Sequence, residues 1–493
     1  MISTRKSLLY GICFLFLILP SHLSLACNNE EMPTDPATHR APRDHKASKK
    51  NWTFIVYIAA DNDLRSFAAR NIKQMADVGS NNNINIVVQL DIRITGNKKI
   101  TRRYYIEQNK ILHVNSDDAT SQKMDSGDHR TLVSCCKWAI ENYPADNYAL
   151  ILWNHGTGII DPETGRIINP STLFALNPEN NKLELDRTVE FLDFINQPCP
   201  EDKHNNANEQ DTNEYLPQET LLFKENPLDD PDRGICWDDS TGNYLTNQKL
   251  NAALSEVCNT LLGGKKLNII GFDACLMAML EVANITKNYA HIMIGSEEVE
   301  LGAGWPYEKV LAPFGNGTLS QKAFAQHIVE AYHEVYSKIT NDYTQSAIDL
   351  DNIDTLEENT SLVATLLLDC LKLQKNSSVK NAIQASRSKL LCTHFDEPSY
   401  VDLHHLYTNL LANLKHFTLT GPEQTKQQLG QALQEGQKLI KQLVIANRAG
   451  KNLSLAQGIS IYFPERRIHS SYRKTMFAAK NKWINFISQY LLT

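Results

Sequence analysis

The chain has 493 residues, of which 42% are hydrophobic, and a formal charge of −7. It is long enough for one large domain plus a smaller one and apolar enough for a sizeable core. An acidic chain whose Lys and Arg occur only as scattered residues and local pairs excludes nucleic-acid binding as its main task.

Residues 1–26 carry a basic start at Arg5-Lys6, an apolar run from Leu8 to Leu19, and small residues leading to Ala26-Cys27. This is the shape of a secretory signal peptide. The run falls short of the ~20 apolar residues that span a bilayer core. Losing the two positive charges of Arg5 and Lys6 with this leader takes the charge from −7 to −9. Leu23-Ser24-Leu25-Ala26-Cys27 resembles a bacterial lipobox, with Ser24 where Leu is usual. Cys27 is therefore the lipidation candidate. The expected location is outside the cytoplasm of a bacterium: secreted, periplasmic, or attached to a membrane as a lipoprotein. Residues 27–50, rich in Pro, Asp, Lys and Asn, read as a disordered tether.

The fold proper begins at Trp52-Thr53-Phe54-Ile55-Val56-Tyr57-Ile58-Ala59-Ala60, a continuous apolar run typical of a strand buried on both faces. Asp61-Asn62-Asp63 reads as a polar turn and cap, and Leu64 to Val78 as an amphipathic helix. Strands follow at Ile84 to Leu90 and Thr101 to Ile106, then a helix from His129 to Asn142 and a strand over Tyr148 to Trp153. That strand ends at Asn154-His155-Gly156-Thr157-Gly158. Residues 159–235 are polar and without evident periodicity, a long insertion of a kind usually functional or disordered.

Regular patterning resumes with a capped helix from Thr246 to Leu262 and an apolar strand that ends in Gly271-Phe272-Asp273-Ala274-Cys275-Leu276-Met277. A helix is expected from Leu276 to Asn288, placing Cys275 at a helix N-terminus, where free backbone N–H groups can lower a thiol pKa. Strands at His291 to Gly295 and Ala347 to Leu350 come next. Residues 356–493 are mostly helical in periodicity, including Glu423 to Asn447, with a late strand from Ser460 to Phe463 that reads as an addition to the sheet. Catalytic-domain boundaries of 51–355 follow. The alternation of strand and helix predicts an α/β fold with a mainly parallel sheet sandwiched by helices.

Two adjacent parallel strands ending at His155 and Cys275 would put an imidazole beside a thiol on the ligand-binding edge of the sheet. A Cys nucleophile with a His base is the chemistry this arrangement suits. A buried Cys or a His-Gly taken alone is more often packing. The other cysteines of the exported chain, Cys135, Cys136, Cys199, Cys236, Cys258, Cys370 and Cys392, are odd in number and irregular in spacing, so no disulfide framework follows. No metal-ligand spacing accompanies them, and His404-His405 reads as ordinary helix surface.

Five islands in order resemble the clostripain family of cysteine peptidases, in the structural clan of caspases, legumain and gingipains. They are Phe54 to Leu64, Leu152 to Gly158, Gly271 to Met277, Ser296-Glu297-Glu298 with Gly302 to Tyr307, and Gly458 to Pro464. The resemblance implies a caspase-like α/β/α sandwich, His155 as general acid/base, Cys275 as nucleophile, and the backbone N–H groups of Gly156 and Cys275 as oxyanion hole. It also implies that Asp273 lines the S1 pocket and pairs with a substrate Arg or Lys. Glu297 and Glu298, with Glu300, are candidates for further acidity there, or simply a solvated loop. Family members are often zymogens cut at a basic residue between the His and the Cys, which makes Lys182, Arg187, Lys203, Lys224 and Arg233 processing candidates. No cofactor is required by the sequence; the resemblance leaves calcium open, but no EF-hand spacing supports it. Expected partners are protein or peptide substrates with basic P1 residues. Competing functions are an inactive surface binding lipoprotein of the same fold and a hydrolase of a non-peptide amide.

Overall fold

The computed structural model describes residues 48–94, 98–114, 124–160, 174–185, 235–421 and 423–493. Cys27 and the processing candidates Arg187, Lys203, Lys224 and Arg233 lie outside the described residues, as does the leader. In chain order the strands are β1 (Lys50–Ala60), β2 (Ile84–Ile94), β3 (Lys98–Glu107), β4 (Lys110–His113), β5 (Ala145–Trp153), β6 (Phe174–Asn177), β7 (Lys182–Leu185) and β8 (Ile235–Asp238). They continue with β9 (Asn243–Leu245), β10 (Leu267–Asp273), β11 (Ala290–Gly295), β12 (Thr344–Asp349), β13 (Tyr400–Asp402), β14 (Val444–Ala449) and β15 (Ser460–Tyr462).

Nine of them form one sheet in the order β14-β12-β11-β10-β5-β1-β2-β3-β4. Its centre, β11 to β2, is parallel throughout. Antiparallel strands close both edges. The central strands are the continuous apolar runs, and Phe54 to Ala60, Ala149 to Trp153 and Ile269 to Phe272 are buried without alternation. Only a sheet covered on both faces removes every second side chain from water in this way. The helices Arg65–Val78, Tyr307–Leu311 and Gln321–Tyr336 pack as one group, and His129–Asn142, Asn247–Glu256, Leu280–Thr286 and Ile353–Leu373 as another. Helix starts at His129, Asn247 and Gln321 are capped by the side chains of Asp128, Thr246 and Ser320, as their polar N-cap types predict.

Four local expectations change. The helix after Cys275 begins at Leu280, not Leu276. The residues between are held out of a helix by neighbouring backbone: Leu276 N–H donates to Glu298 O, Ala278 N–H to Ser296 O, and Ser460 N–H to Ala278 O. Leu276 takes a left-handed φ of 63°, and tertiary hydrogen bonds override its helix propensity. The helix over Gln424–Leu443 gives way at Val444 to β14, which pairs with β12 on the sheet edge. The late strand β15 pairs with β13 in a separate two-stranded sheet. Within the insertion, β6 and β7 form a hairpin.

Candidate active site

β5 and β10 are parallel neighbours whose last register pair is Trp153 with Asp273, and Asn154 N–H continues the ladder to Asp273 O at 3.2 Å. His155 and Cys275 each stand two residues past that pair. The loops touch directly: a Cβ built at Gly156 would lie 2.3 Å from Cys275 O, so the glycine is required for this approach.

His155 does not stand alone. Its Nε2 lies 2.6 Å from Asp63 Oδ1, with the imidazole 11% and the Asp63 side chain 34% exposed. Asp63 follows β1, whose residue Ile58 is register partner to Trp153. Behind the histidine, Asn154 Nδ2–H donates to Ala59 O at 2.6 Å, and Trp237 N–H donates to Asn154 Oδ1 at 2.8 Å. Ahead of it, Tyr400 donates its hydroxyl hydrogen to Thr157 O and accepts from Ile159 N–H and Ile160 N–H. The C-terminal region thus fixes the loop that carries His155.

Cys275 is 5% exposed. Glu300 N–H donates to its Sγ at 3.2 Å, and Glu300 O lies 3.8 Å away. Burial pushes the thiol pKa upward; the Glu300 N–H offsets this in part, and the carboxyls of Glu300, Asp396 and Glu298 add to it. The expected helix N-terminus is five residues away, so its dipole does not lower this pKa. In the described state the sulfur is engaged with the Glu300 backbone, while the imidazole is engaged with Asp63.

Asp273 shares a small cavity with Cys275, lined also by Leu64, Trp153, Asn154, Glu300 and Gly304, with a volume of about 20 Å³. That is room for little more than one water. The Asp273 carboxylate accepts from Trp305 N–H at 3.1 Å and from Tyr307 Oη–H at 2.8 Å. Burial pushes its pKa up to about 6, against the pull of Trp305, Tyr307 and Glu300. Glu300, also buried, is held well above the usual carboxylate range by burial and by Asp273. Gly304, at φ 65°, lets the chain pass Asp273, since a Cβ there would meet Oδ2 at 2.8 Å.

The acids Glu297 and Glu298, expected from sequence beside Asp273, go elsewhere. Glu297 Oε2 accepts from Gly458 N–H at 2.9 Å, and Glu298 Oε1 accepts from Val299 N–H at 2.9 Å and Asp396 N–H at 2.8 Å. Both are buried and tie this loop to the C-terminal region, and neither lines the Cys275 cavity. Nor do they form a solvated loop. Of that run Glu300 reaches the site. Lys182 lies in β7 with Nζ donating to Ser337 O and Asn341 Oδ1, a braced hairpin rather than an open substrate segment.

Sequence reasoning missed Asp63, read there only as part of a turn. The signal was its place at the end of a strand adjacent to the histidine strand. It also missed a buried ionic cluster in which Lys99 contacts Asp61, Asp91 and Asp238 and Arg93 contacts Asp61 and Asp239. Among the described residues no group of three or more His, Cys, Asp or Glu could hold a metal ion, and no helix is long and apolar enough to cross a membrane.

A model of the clostripain family matches residues 56–184 and 223–490. Clostripain of Hathewaya histolytica is 23% identical over 291 residues, 54% of this chain; the chain spans 43% of that relative's length. A secreted C11 cysteine protease from Bacteroides thetaiotaomicron, solved with an irreversible peptide inhibitor, is similar with a TM-score of 0.53 at 20% identity, covering 89% of this chain and 98% of that one. An inactive zymogen C11 protease from Parabacteroides distasonis gives 0.53 at 17% identity, over 90% and 99%. At these identities the structural likeness is one of fold.

Proposed function

The chain belongs to the clostripain family of cysteine peptidases, and from that premise we propose that it is an exported endopeptidase that cleaves after Arg or Lys, with Cys275 as nucleophile and His155 as general acid/base. The observation that carries this reading is the Trp153–Asp273 register, which delivers the imidazole loop and the thiol loop side by side, with two carboxyls in the thiol's own cavity. In the reaction the Cys275 thiol gives its proton to His155 and its sulfur bonds the scissile carbonyl carbon. The backbone N–H groups of Gly156 and Cys275 hold the oxyanion, a role worth about 3 kcal/mol per donor. The C–N bond breaks as His155 protonates the leaving amine, and water hydrolyses the thioester, returning the thiol. Asp273 and Glu300 would accept the P1 guanidinium or ammonium.

The thiol's burial and the small cavity support reading the described state as a precursor. Opening would follow a cut in the insertion at Arg187, Lys203, Lys224 or Arg233, made by the enzyme itself; Lys182 is disfavoured by its bracing. A secreted or lipid-anchored location, through Cys27, completes the proposal.

The test is hydrolysis of fluorogenic peptides that differ only at P1, before and after limited proteolysis, with and without calcium, beside a Cys275→Ala control. Cleavage after Arg or Lys that vanishes in the control is expected. Turnover retained by Cys275→Ala overturns the nucleophile, and equal turnover of neutral P1 peptides overturns the acidic pocket.

A further inference from the structure

We propose that Asp63 is a positioning residue for His155: its carboxylate holds the proton on Nε2 and leaves Nδ1 as the atom that exchanges a proton with Cys275 and the leaving amine. This rests on the reading of His155 as the acid/base.

An ionised carboxylate only accepts hydrogen bonds, so a contact of 2.6 Å between Asp63 Oδ1 and Nε2 requires the hydrogen on Nε2. In the neutral imidazole the lone pair is then on Nδ1. The contact is built, not incidental, because each residue of the Asp61-Asn62-Asp63 turn is used. Asp61 is buried against Arg93 at 2.8 Å and Lys99 at 3.5 Å. Asn62 Nδ2–H donates to Ala59 O at 2.9 Å and Trp237 O at 3.1 Å, and Asn62 Oδ1 accepts from Leu64 N–H at 3.0 Å. With the Asn62 side chain and the Leu64 N–H locked on either side, the Asp63 backbone is held while its side chain reaches the imidazole.

Two further facts place this turn within the site. Ala59 O accepts from both Asn62 and Asn154, so the residues preceding Asp63 and His155 are joined through one carbonyl. Leu64, the residue after Asp63, lines the Cys275 cavity. Through the reaction the proton count stays simple. The Sγ proton moves to Nδ1, Nε2–H stays on the ring beside Asp63 and stabilises the imidazolium, and Nδ1–H passes to the amine. The carboxylate takes no proton.

The experiment has a readout independent of turnover. In the ¹⁵N-labelled Cys275→Ala chain, long-range ¹H–¹⁵N correlation reports the tautomer of each ring, and a His155→Gln spectrum assigns the His155 signals. The expected result is the Nε2–H tautomer, converting to a mixture or to Nδ1–H with Asp63→Ala. On the otherwise native, processed enzyme, Asp63→Ala should lower kcat about 10- to 100-fold, less than the ~10⁴ known for a fully buried triad carboxylate, with KM within about twofold and Asp63→Asn intermediate. An Nδ1–H tautomer in the parent chain, or a tautomer and kcat both unmoved by Asp63→Ala and Asp63→Asn, overturns the inference. Failure of the peptidase reading shows separately, as activity surviving Cys275→Ala.

Discussion

Gly156 rests on Cys275 backbone to backbone: beyond the 2.3 Å approach to the Cys275 oxygen, a Cβ at Gly156 would find Met277 Cγ at 3.0 Å and Ala274 Cβ at 3.1 Å. Its nearest obstacle is a carbonyl, which cannot rotate away as a flexible side chain can. Gly156→Ala must therefore part the two loops. The expected cost is about 1–3 kcal/mol of stability, read by urea unfolding, together with loss of peptide hydrolysis. Unchanged stability would show that the loops separate freely and that their contact does not set the His155–Cys275 geometry.

The Asp273–Glu300 pair predicts how P1 selectivity should respond. Asp273→Asn keeps the shape of the cavity while removing charge, and should lower kcat/KM for Arg and Lys peptides about 30- to 100-fold, the equivalent of about 2–3 kcal/mol for a charge-assisted hydrogen bond. Glu300→Gln should cost far less, because burial and Asp273 already hold the Glu300 carboxyl towards its neutral form. Since burial holds Asp273 at about 6, KM for an Arg peptide should rise as pH falls below that value. A KM flat from pH 7 to 5 would separate basic-residue recognition from this pair.

Much of this site was legible because continuous apolar runs such as Phe54 to Ala60 and Ile269 to Phe272 admit few placements besides central strands, and their ends then align. His155 and Cys275 emerged from that logic without any contact being known. What stayed hidden depends on long-range pairing. Glu297, Glu298 and Glu300 are equivalent in sequence, and only the C-terminal region, by supplying Gly458 and Asp396 N–H, decides which acids it claims. The late helix start at Leu280 has the same origin, since the extended Met279 is the bridge partner of Ser460. Asp63 looks like any turn residue until β1 is known to adjoin β5.

Lys99 is the hub of the cluster that anchors β8, the strand following the insertion, to β2 and β3. Its side chain, 2% exposed, contacts Asp61, Asp91 and Asp238 through the ammonium. Lys99→Met would strand buried carboxylates without their cation, at an expected cost of about 3–5 kcal/mol in chemical unfolding. Asp91→Asn should cost far less, because burial already pushes the Asp91 carboxyl to about 7. Equal losses from the two variants would contradict a hub at Lys99. Because β8 is bridged to Gly156 through Ile235, Lys99→Met should also reduce activity after processing.

Glu281 predicts the direction of the pH dependence. It is fully buried in the first turn of the helix Leu280–Thr286, and its Oε1 accepts from Tyr462 N–H at 3.0 Å and Tyr472 Oη–H at 3.1 Å. Burial raises its pKa to about 7, against roughly 4.3 in an unfolded chain. Between these values the folded state binds the extra proton. Its contribution is therefore fully present below about pH 4 and is lost as pH rises through 7. Asp402, raised to about 6 by burial, acts in the same sense. Glu281→Gln keeps an acceptor for both donors and removes the titration. Relative to the native chain, the variant should gain stability from about pH 5 to 7, by up to about 1.4 kcal/mol per pH unit, and level off above 7, when unfolding free energies are compared at each pH. A difference that is constant across that range, or that grows towards acid, would mean that Glu281 is buried as a carboxylate and that its two donors outweigh the loss of water.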